Sequence, residues 1–199
     1  MDVEKTIRNL KLRGYSVRHF ATGEEAAAYL DAQIDGTTVG IGGCMTAKEL
    51  GLYDKLAAHN EVFWHWIVPG QETIEKANAA AVYISSANAM TEGGEILNID
   101  GNGNRLAGQV YGRKRLFIVA GTNKICPDFE SALSRARNVA ATRNALRFEA
   151  KKNALQARRQ MPRLPQRGQD LQRAARAVGA DGRHDERNHF DRRGAGVLI

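Results

Sequence analysis

Three short stretches concentrate the side chains with chemical potential. "SSANAMTEGGEILNIDGNGNR", residues 85–105, gathers Ser86, Asn88, Thr91, Glu92, Asn104 and Arg105 beside apolar runs. "GIGGCMT", residues 40–46, sets Gly42 and Gly43 ahead of Cys44 and Thr46. "AGTNKI", residues 120–125, puts Asn123 and Lys124 directly after an apolar run. Together these groups suit a small anion. Glycines let the backbone come close, amides at a helix start favour negative charge, and Lys124 and Arg105 supply full charge. Glu92 adds a carboxylate. In a desolvating pocket it is a nucleophile or general base; otherwise it is a structural acceptor, paired with Arg105 or with turn amides. The plainer alternatives for the others are a tight turn at the glycines, a solvated surface charge at Lys124 and turn formers at Asp100, Gly101, Gly103 and Asn104. Cys44 sits where a helix start would stabilise a thiolate, but with no base identifiable beside it a small buried side chain is the simpler reading. His65, between Trp64 and Trp66, reads as a packed residue of a strand.

Residues so far apart meet only if the intervening chain folds them onto one rim, and its pattern supplies the means. "VEKTIRNLKLRG" reads as a helix closed by Gly14. "YSVRHF" is a short strand, and "TGEEAAAYLDAQI" a helix capped by Thr22 with Glu24 and Glu25 in its first turn. "TTVGIGG" is a strand, "TAKELGLYDKLAAH" a helix with Thr46 as candidate cap, "EVFWHWIVP" a strand and "GQETIEKANAA" a helix. "AVYISS" and "RLFIVAG" are apolar runs of the sort buried in parallel sheets. "GEILNIDGNGNRLAGQVYG" between them predicts a β-excursion turning at Asp100-Gly101 and Gly103. "DFESALSRARNVAATRNALRF" predicts one long closing helix. Alternation of this kind predicts an α/β layered fold with a mainly parallel sheet flanked by helices. Ligands in such sheets bind beyond the carboxyl ends of the strands, where the three polar loops fall.

The 199 residues are enough for one domain plus a tail. Residues 1–150 hold 17 basic and 17 acidic side chains, and residues 151–199 hold 12 and 5, so 12 − 5 = +7 accounts for the whole net charge. One α/β domain over 1–150, followed by a basic, poorly ordered tail over 151–199, is therefore expected. Cys44 and Cys126 are too few for a disulfide framework. The charged N-terminal segment is not a signal peptide, and no apolar run approaches a membrane span. A cytoplasmic protein without membrane attachment is expected, with a small anionic metabolite as ligand and no metal site in the chain.

"VGIGGCMTAKELGL", "SSANAMTEGGEILNIDGNGNRLAGQVYG", "IVAGTNKI" and "ALSRARNVAATRNALR" together resemble the LUD, or lactate-utilisation, domain family. The nearest resemblance is to its short members, called lactate-utilisation protein C, over residues 1–148. The family usually has Ser where Cys44 stands, and often Pro near Thr142. The resemblance implies a sheet like that of the sugar-phosphate isomerase and coenzyme A transferase superfamily. It also implies a part in oxidising L-lactate to pyruvate, with iron–sulfur clusters carried by partner lactate-utilisation subunits. In coenzyme A transferases a loop glutamate is the nucleophile, an analogy at the level of fold that points to Glu92. Two alternatives stand beside this: an independent isomerase- or transferase-type enzyme using Glu92, and a non-catalytic assembly subunit whose pocket senses a metabolite.

The tail departs from the family. Short members end in Thr-Pro-Cys, Cys-x-x-Cys and Ile-Cys followed by an apolar terminus, and nothing after Lys152 matches that. Advancing the reading frame of residues 152–171, "KNALQARRQMPRLPQRGQDL", by one base permits "RTPCKPGGKCRDCRSEDRIC". One step is forced: the ATG of Met161 followed by the first base of Pro162 gives TGC, cysteine. The shifted frame also permits an apolar end, "GMTNGIILIDEELGY", and a stop at Leu198-Ile199. Its four cysteines would suit a metal or cluster site. A frameshifted C-terminus is therefore expected. An arginine-rich nucleic-acid-binding tail is the competing reading, and the scarcity of aromatics for base stacking argues against it.

Overall fold

The computed structural model describes residues 1–111, 115–147, 174–177 and 195–198. In chain order its elements are α1 (Val3–Leu12), β1 (Ser16–Arg18), α2 (Gly23–Gln33), β2 (Thr38–Ile41), α3 (Met45–Glu49), α4 (Leu52–Ala57), β3 (Glu61–Phe63), α5 (Gln71–Ala79) and β4 (Val82–Ser85). Then follow β5 (Ala89–Thr91), β6 (Ile96–Ile99), α6 (Asn104–Val110), β7 (Arg115–Val119), a 3-10 turn (Thr122–Lys124), β8 (Ile125–Cys126) and α7 (Phe129–Arg135). A π-turn (Ala136–Ala140), α8 (Ala141–Arg147), β9 (Ala174–Ala177) and β10 (Ala195–Leu198) complete them. Among the described residues no helix is long and apolar enough to cross a membrane. The chain divides into two compact units.

One unit comprises residues 10–86, 104–122 and 180–199. It is built on a six-stranded sheet in the order β1-β10-β7-β4-β2-β3, with every pair parallel. This is the expected α/β layered fold. β4 and β7 are the uninterrupted apolar runs, with all of β4 and Leu116 to Val119 buried, as central parallel strands require. The core packs Leu30, Ile34, Leu52 and Leu56 of the helices against Val39, Ile41, Ile84 and Phe117 of the sheet. α1 ends at Gly14, whose φ of +86° a glycine adopts without strain. Gly14 N–H bonds Lys11 O at 2.9 Å and Tyr15 N–H bonds Leu10 O at 3.1 Å, the paired bonds of a Schellman end. Thr22 caps α2 with Glu25 in a full capping box.

The other unit comprises residues 1–9, 87–103 and 123–179. Its sheet runs β8-β5-β6-β9, with β8 parallel to β5 and the other pairs antiparallel. Ala89, Leu97, Cys126 and Ala132 form its small core, with Phe129 and Leu133 against them.

Several expectations are corrected. The cap of α3 is Cys44, whose Sγ accepts from Ala47 N–H at 3.2 Å; Thr46 lies inside the helix. The helix expected over 46–59 breaks into α3 and α4 at Gly51, φ +62°. "EVFWHWIVP" is a strand only to Phe63, because the Ile67 and Val68 amides both turn back to Trp64 O. The β-excursion stops at Ile99, and "NRLAGQV" is helix α6 instead. The closing helix contains the π-turn at 136–140. In the tail, residues 174–177 and 195–198 are strands; the rest of the expected poorly ordered extension lies outside the described residues.

Candidate functional site

In the parallel-sheet unit the strand ends collect Gly42, Gly43, Ser86, Asn104 and Arg105. Gly42 N–H bonds Ile84 O at 2.9 Å, which carries the β2–β4 ladder one residue past β2 and sets Gly42 level with the end of β4. A side chain at Gly42 would be impossible without movement. A Cβ there would stand 2.8 Å from the Tyr83 hydroxyl and 3.1 Å from Arg105 Cγ. Those two distances bring the glycine loop, the Tyr83 hydroxyl and the Arg105 stem to one spot. Gly43 lies on the Trp66 ring, its Cβ position 3.3 Å from Trp66 Cζ2, and Trp66 stacks on Trp64 at 5.4 Å between centroids.

α6 is held against the same strand ends by Gln109, whose Nε2 donates to Ser85 Oγ at 2.6 Å and to Ser86 O at 3.3 Å. Ser86 Oγ donates to Val119 O at 2.6 Å, tying β4 to β7. Gly108 allows this close seat, since a Cβ there would fall 2.3 Å from Tyr83 Cζ. Asn104 opens α6 and Arg105 follows it, half-buried. Thr46 is half-buried in α3, where the Ala47 amide is taken by Cys44. Sequence reasoning missed Tyr83 and Gln109. Their signal was faint: a tyrosine amid an apolar strand, and a glutamine in a segment read as β.

In the second unit Asn88, Thr91, Glu92, Asn123 and Lys124 have a different character. Asn88 and Asn98 exchange bonds across the β5–β6 pair: Asn98 Oδ1 accepts from Asn88 N–H at 3.0 Å, and Asn88 Oδ1 accepts from Ile99 N–H at 2.7 Å. Thr91 is buried; its Oγ1 accepts from Glu95 N–H at 3.0 Å and closes the hairpin around Gly94, φ +81°. Glu92 is an acceptor on both oxygens. Oε1 takes Asp2 N–H at 3.0 Å and Oε2 takes Lys5 Nζ at 3.0 Å, while Asn9 Nδ2 donates to Glu92 O at 2.7 Å. The Asp2 amide first, and then Lys5, hold the carboxyl below its usual range. Glu92 is thus a carboxylate clasped at the start of α1 by Asp2 and Lys5 rather than satisfied by its own turn.

Asn123 and Lys124 form the 3-10 turn before β8. The parallel pairing of Met90 with Ile125 sets that turn beside Asn88. Arg135, also missed from sequence, locks the two together: its Nε donates to Asn123 O at 3.1 Å and its Nη1 to Asn88 O. Both cysteines are buried and outside any disulfide among the described residues, Cys44 in the first unit and Cys126 in the second. Burial pushes the Cys126 thiol up. Among the described residues no three His, Cys, Asp or Glu side chains cluster as metal ligands.

The all-parallel sheet flanked by helices defines an α/β layered protein, with glycine-, serine- and arginine-bearing loops leaving the same strand ends. The chain belongs to the LUD domain family, whose model matches residues 3–175. That family is associated with lactate utilisation. No curated protein and no solved structure matches the chain.

Proposed function

We propose that this protein is a LUD-domain component of lactate utilisation that supports oxidation of L-lactate to pyruvate with iron–sulfur partner proteins. The observation that carries the reading is the convergence of Gly42, Tyr83 and Arg105 at the carboxyl ends of parallel strands. Arg105 supplies charge for the carboxylate of lactate or pyruvate. The glycine loop admits the ligand close to the backbone, and Asn104 and Ser86 offer hydrogen bonds. Oxidation of lactate releases two electrons and two protons, and the iron–sulfur partners accept the electrons.

Glu92 serves in this account as a structural acceptor, since both its oxygens are engaged by α1. Asn88, Thr91, Asn123 and Lys124 shape the loops of their own unit. The test is titration of the purified chain with L-lactate and pyruvate. Arg105→Met is expected to weaken binding at least tenfold with the fold intact, and unchanged affinity would remove Arg105 from the site.

The C-terminal reading also stands as a proposal: residues 152–199 are translated from a shifted frame. It is supported by the forced TGC across Met161-Pro162 and by the abrupt basic bias after residue 150. The family match runs to residue 175, past Lys152, so the gene itself decides. Sequencing codons 148–155 in this strain and in close relatives is expected to show one base lost or gained. A clean frame shared by the relatives would overturn it.

A further inference from the structure

Arg135 carries a charge that nothing among the described residues balances. Its hydrogen bonds among the described residues go to the neutral carbonyls of Asn88 and Asn123. Among the described residues, ion pairs such as Lys5–Glu92, Arg8–Glu4 and Lys76–Glu72 leave Arg135 and Arg143 aside. Asp128 is committed to Ser131 N–H at 2.8 Å as the cap of α7. Cys126 brings no compensating charge, because burial keeps its thiol protonated at neutral pH. A partly buried guanidinium without a counter-ion is costly. Burial, and then repulsion from Arg143, accordingly pull Arg135 below its ordinary range.

The π-turn explains why Arg143 acts on it. Eight residues separate the two arginines, whereas two α-helical turns take about 7.2 residues. The wider turn at Ala136–Ala140 absorbs the extra residue, so Arg135 and Arg143 stand on one face of a continuous helix, two turns apart. In an unbroken α-helix they would diverge by about 80°. Single π-turns recur at functional sites, and this one gathers like charges that repel unless an anion joins them.

We propose that Arg135 and Arg143 form an oxyanion receptor for a small dianion, a phosphate-bearing or dicarboxylate molecule. Nη2 of Arg135, which has no protein partner among the described residues, meets the ligand on one side, and Arg143, which is exposed, meets it on the other. Two guanidinium groups favour two negative charges over the single one of lactate. This site is separate in its residues from the strand-end site and does not depend on it.

The test is calorimetric titration of the full chain with inorganic phosphate, malonate and L-lactate, repeated on Arg105→Met so that the strand-end site is silent. A dianion is expected to bind Arg105→Met at least tenfold more tightly than lactate does, and the tighter of phosphate and malonate names the ligand's group. Arg143→Gln, which removes an exposed side chain with no hydrogen bond among the described residues, is expected to weaken that binding at least fivefold with an unchanged circular dichroism spectrum. Arg135→Lys keeps the charge but loses the planar fork and is expected to do the same. Equal dianion affinity in Arg143→Gln and its parent, or no dianion binding in the parent, overturns the proposal.

Discussion

Gly42→Ala is the sharpest mechanical probe of the strand-end site. The new methyl would lie 2.8 Å from the Tyr83 hydroxyl and 3.1 Å from Arg105 Cγ. Comfortable non-bonded separations are about 3.5–4.0 Å, so something must move by half an ångström or more. The Arg105 stem can swing aside, but Tyr83 is fully buried and cannot. Forced overpacking of this kind costs about 1–3 kcal/mol, which for a chain of this size lowers Tm by about 2–4 °C per kcal/mol. Tyr83→Phe deletes the oxygen and leaves Cζ as the nearest ring atom at 3.4 Å, an ordinary contact. The penalty of Gly42→Ala should then shrink, giving a favourable coupling of about 1 kcal/mol or more in a double-mutant cycle. Urea unfolding of the wild type, both single variants and the double variant measures it. Additivity within about 0.5 kcal/mol would mean that the hydroxyl does not press on the glycine loop, and the geometry of the site would be refuted.

Further outcomes follow from single contacts. Cys44→Ala should cost about 1 kcal/mol by removing the cap on Ala47 N–H, and Cys44→Ser, which keeps an acceptor there, should cost less; thermal melts compare them. Glu92 has a depressed folded pKa, so its contribution is present above the ordinary carboxylate range and is lost as pH falls through the folded value. Glu92→Gln should therefore flatten the acid limb of a Tm-against-pH curve and leave lactate-dependent activity standing. Abolished activity with a normal fold would restore the nucleophile reading. His59 is raised by its bonds to Asp31 and then Asp35, so it stabilises fully below its unfolded value near 6.5. That contribution fades as pH rises through the raised folded value, and His59→Gln should remove the alkaline-side decline in Tm.

What could be read from the residues was whatever local pattern determines. The apolar runs at 82–85 and 115–119 announced central parallel strands, and Thr22 with Glu25 announced a helix start. The placement of Ser86 at a strand end follows from the run at 82–85, and that of Gly42 from the strand pattern of "TTVGIGG". Misreadings arose where tertiary contact overrides local preference. Gly108, poor in a helix interior, is kept in α6 because Tyr83 leaves no room for a Cβ. Trp64 to Val68 reads as strand by composition but turns so that Trp64 enters the core and stacks with Trp66. Thr46 lost the cap to Cys44 because the helix begins two residues earlier than a hydroxyl would suggest. Arg135 left no trace in the sequence, since its partners lie 12 and 47 residues away and are backbone carbonyls.

The most direct test of the account is L-lactate-dependent dye reduction by this protein combined with its iron–sulfur partners. The rate is expected to require the chain and to fall at least tenfold in Arg105→Met that folds normally. A rate unchanged by omitting the chain, or undiminished by Arg105→Met, would contradict it.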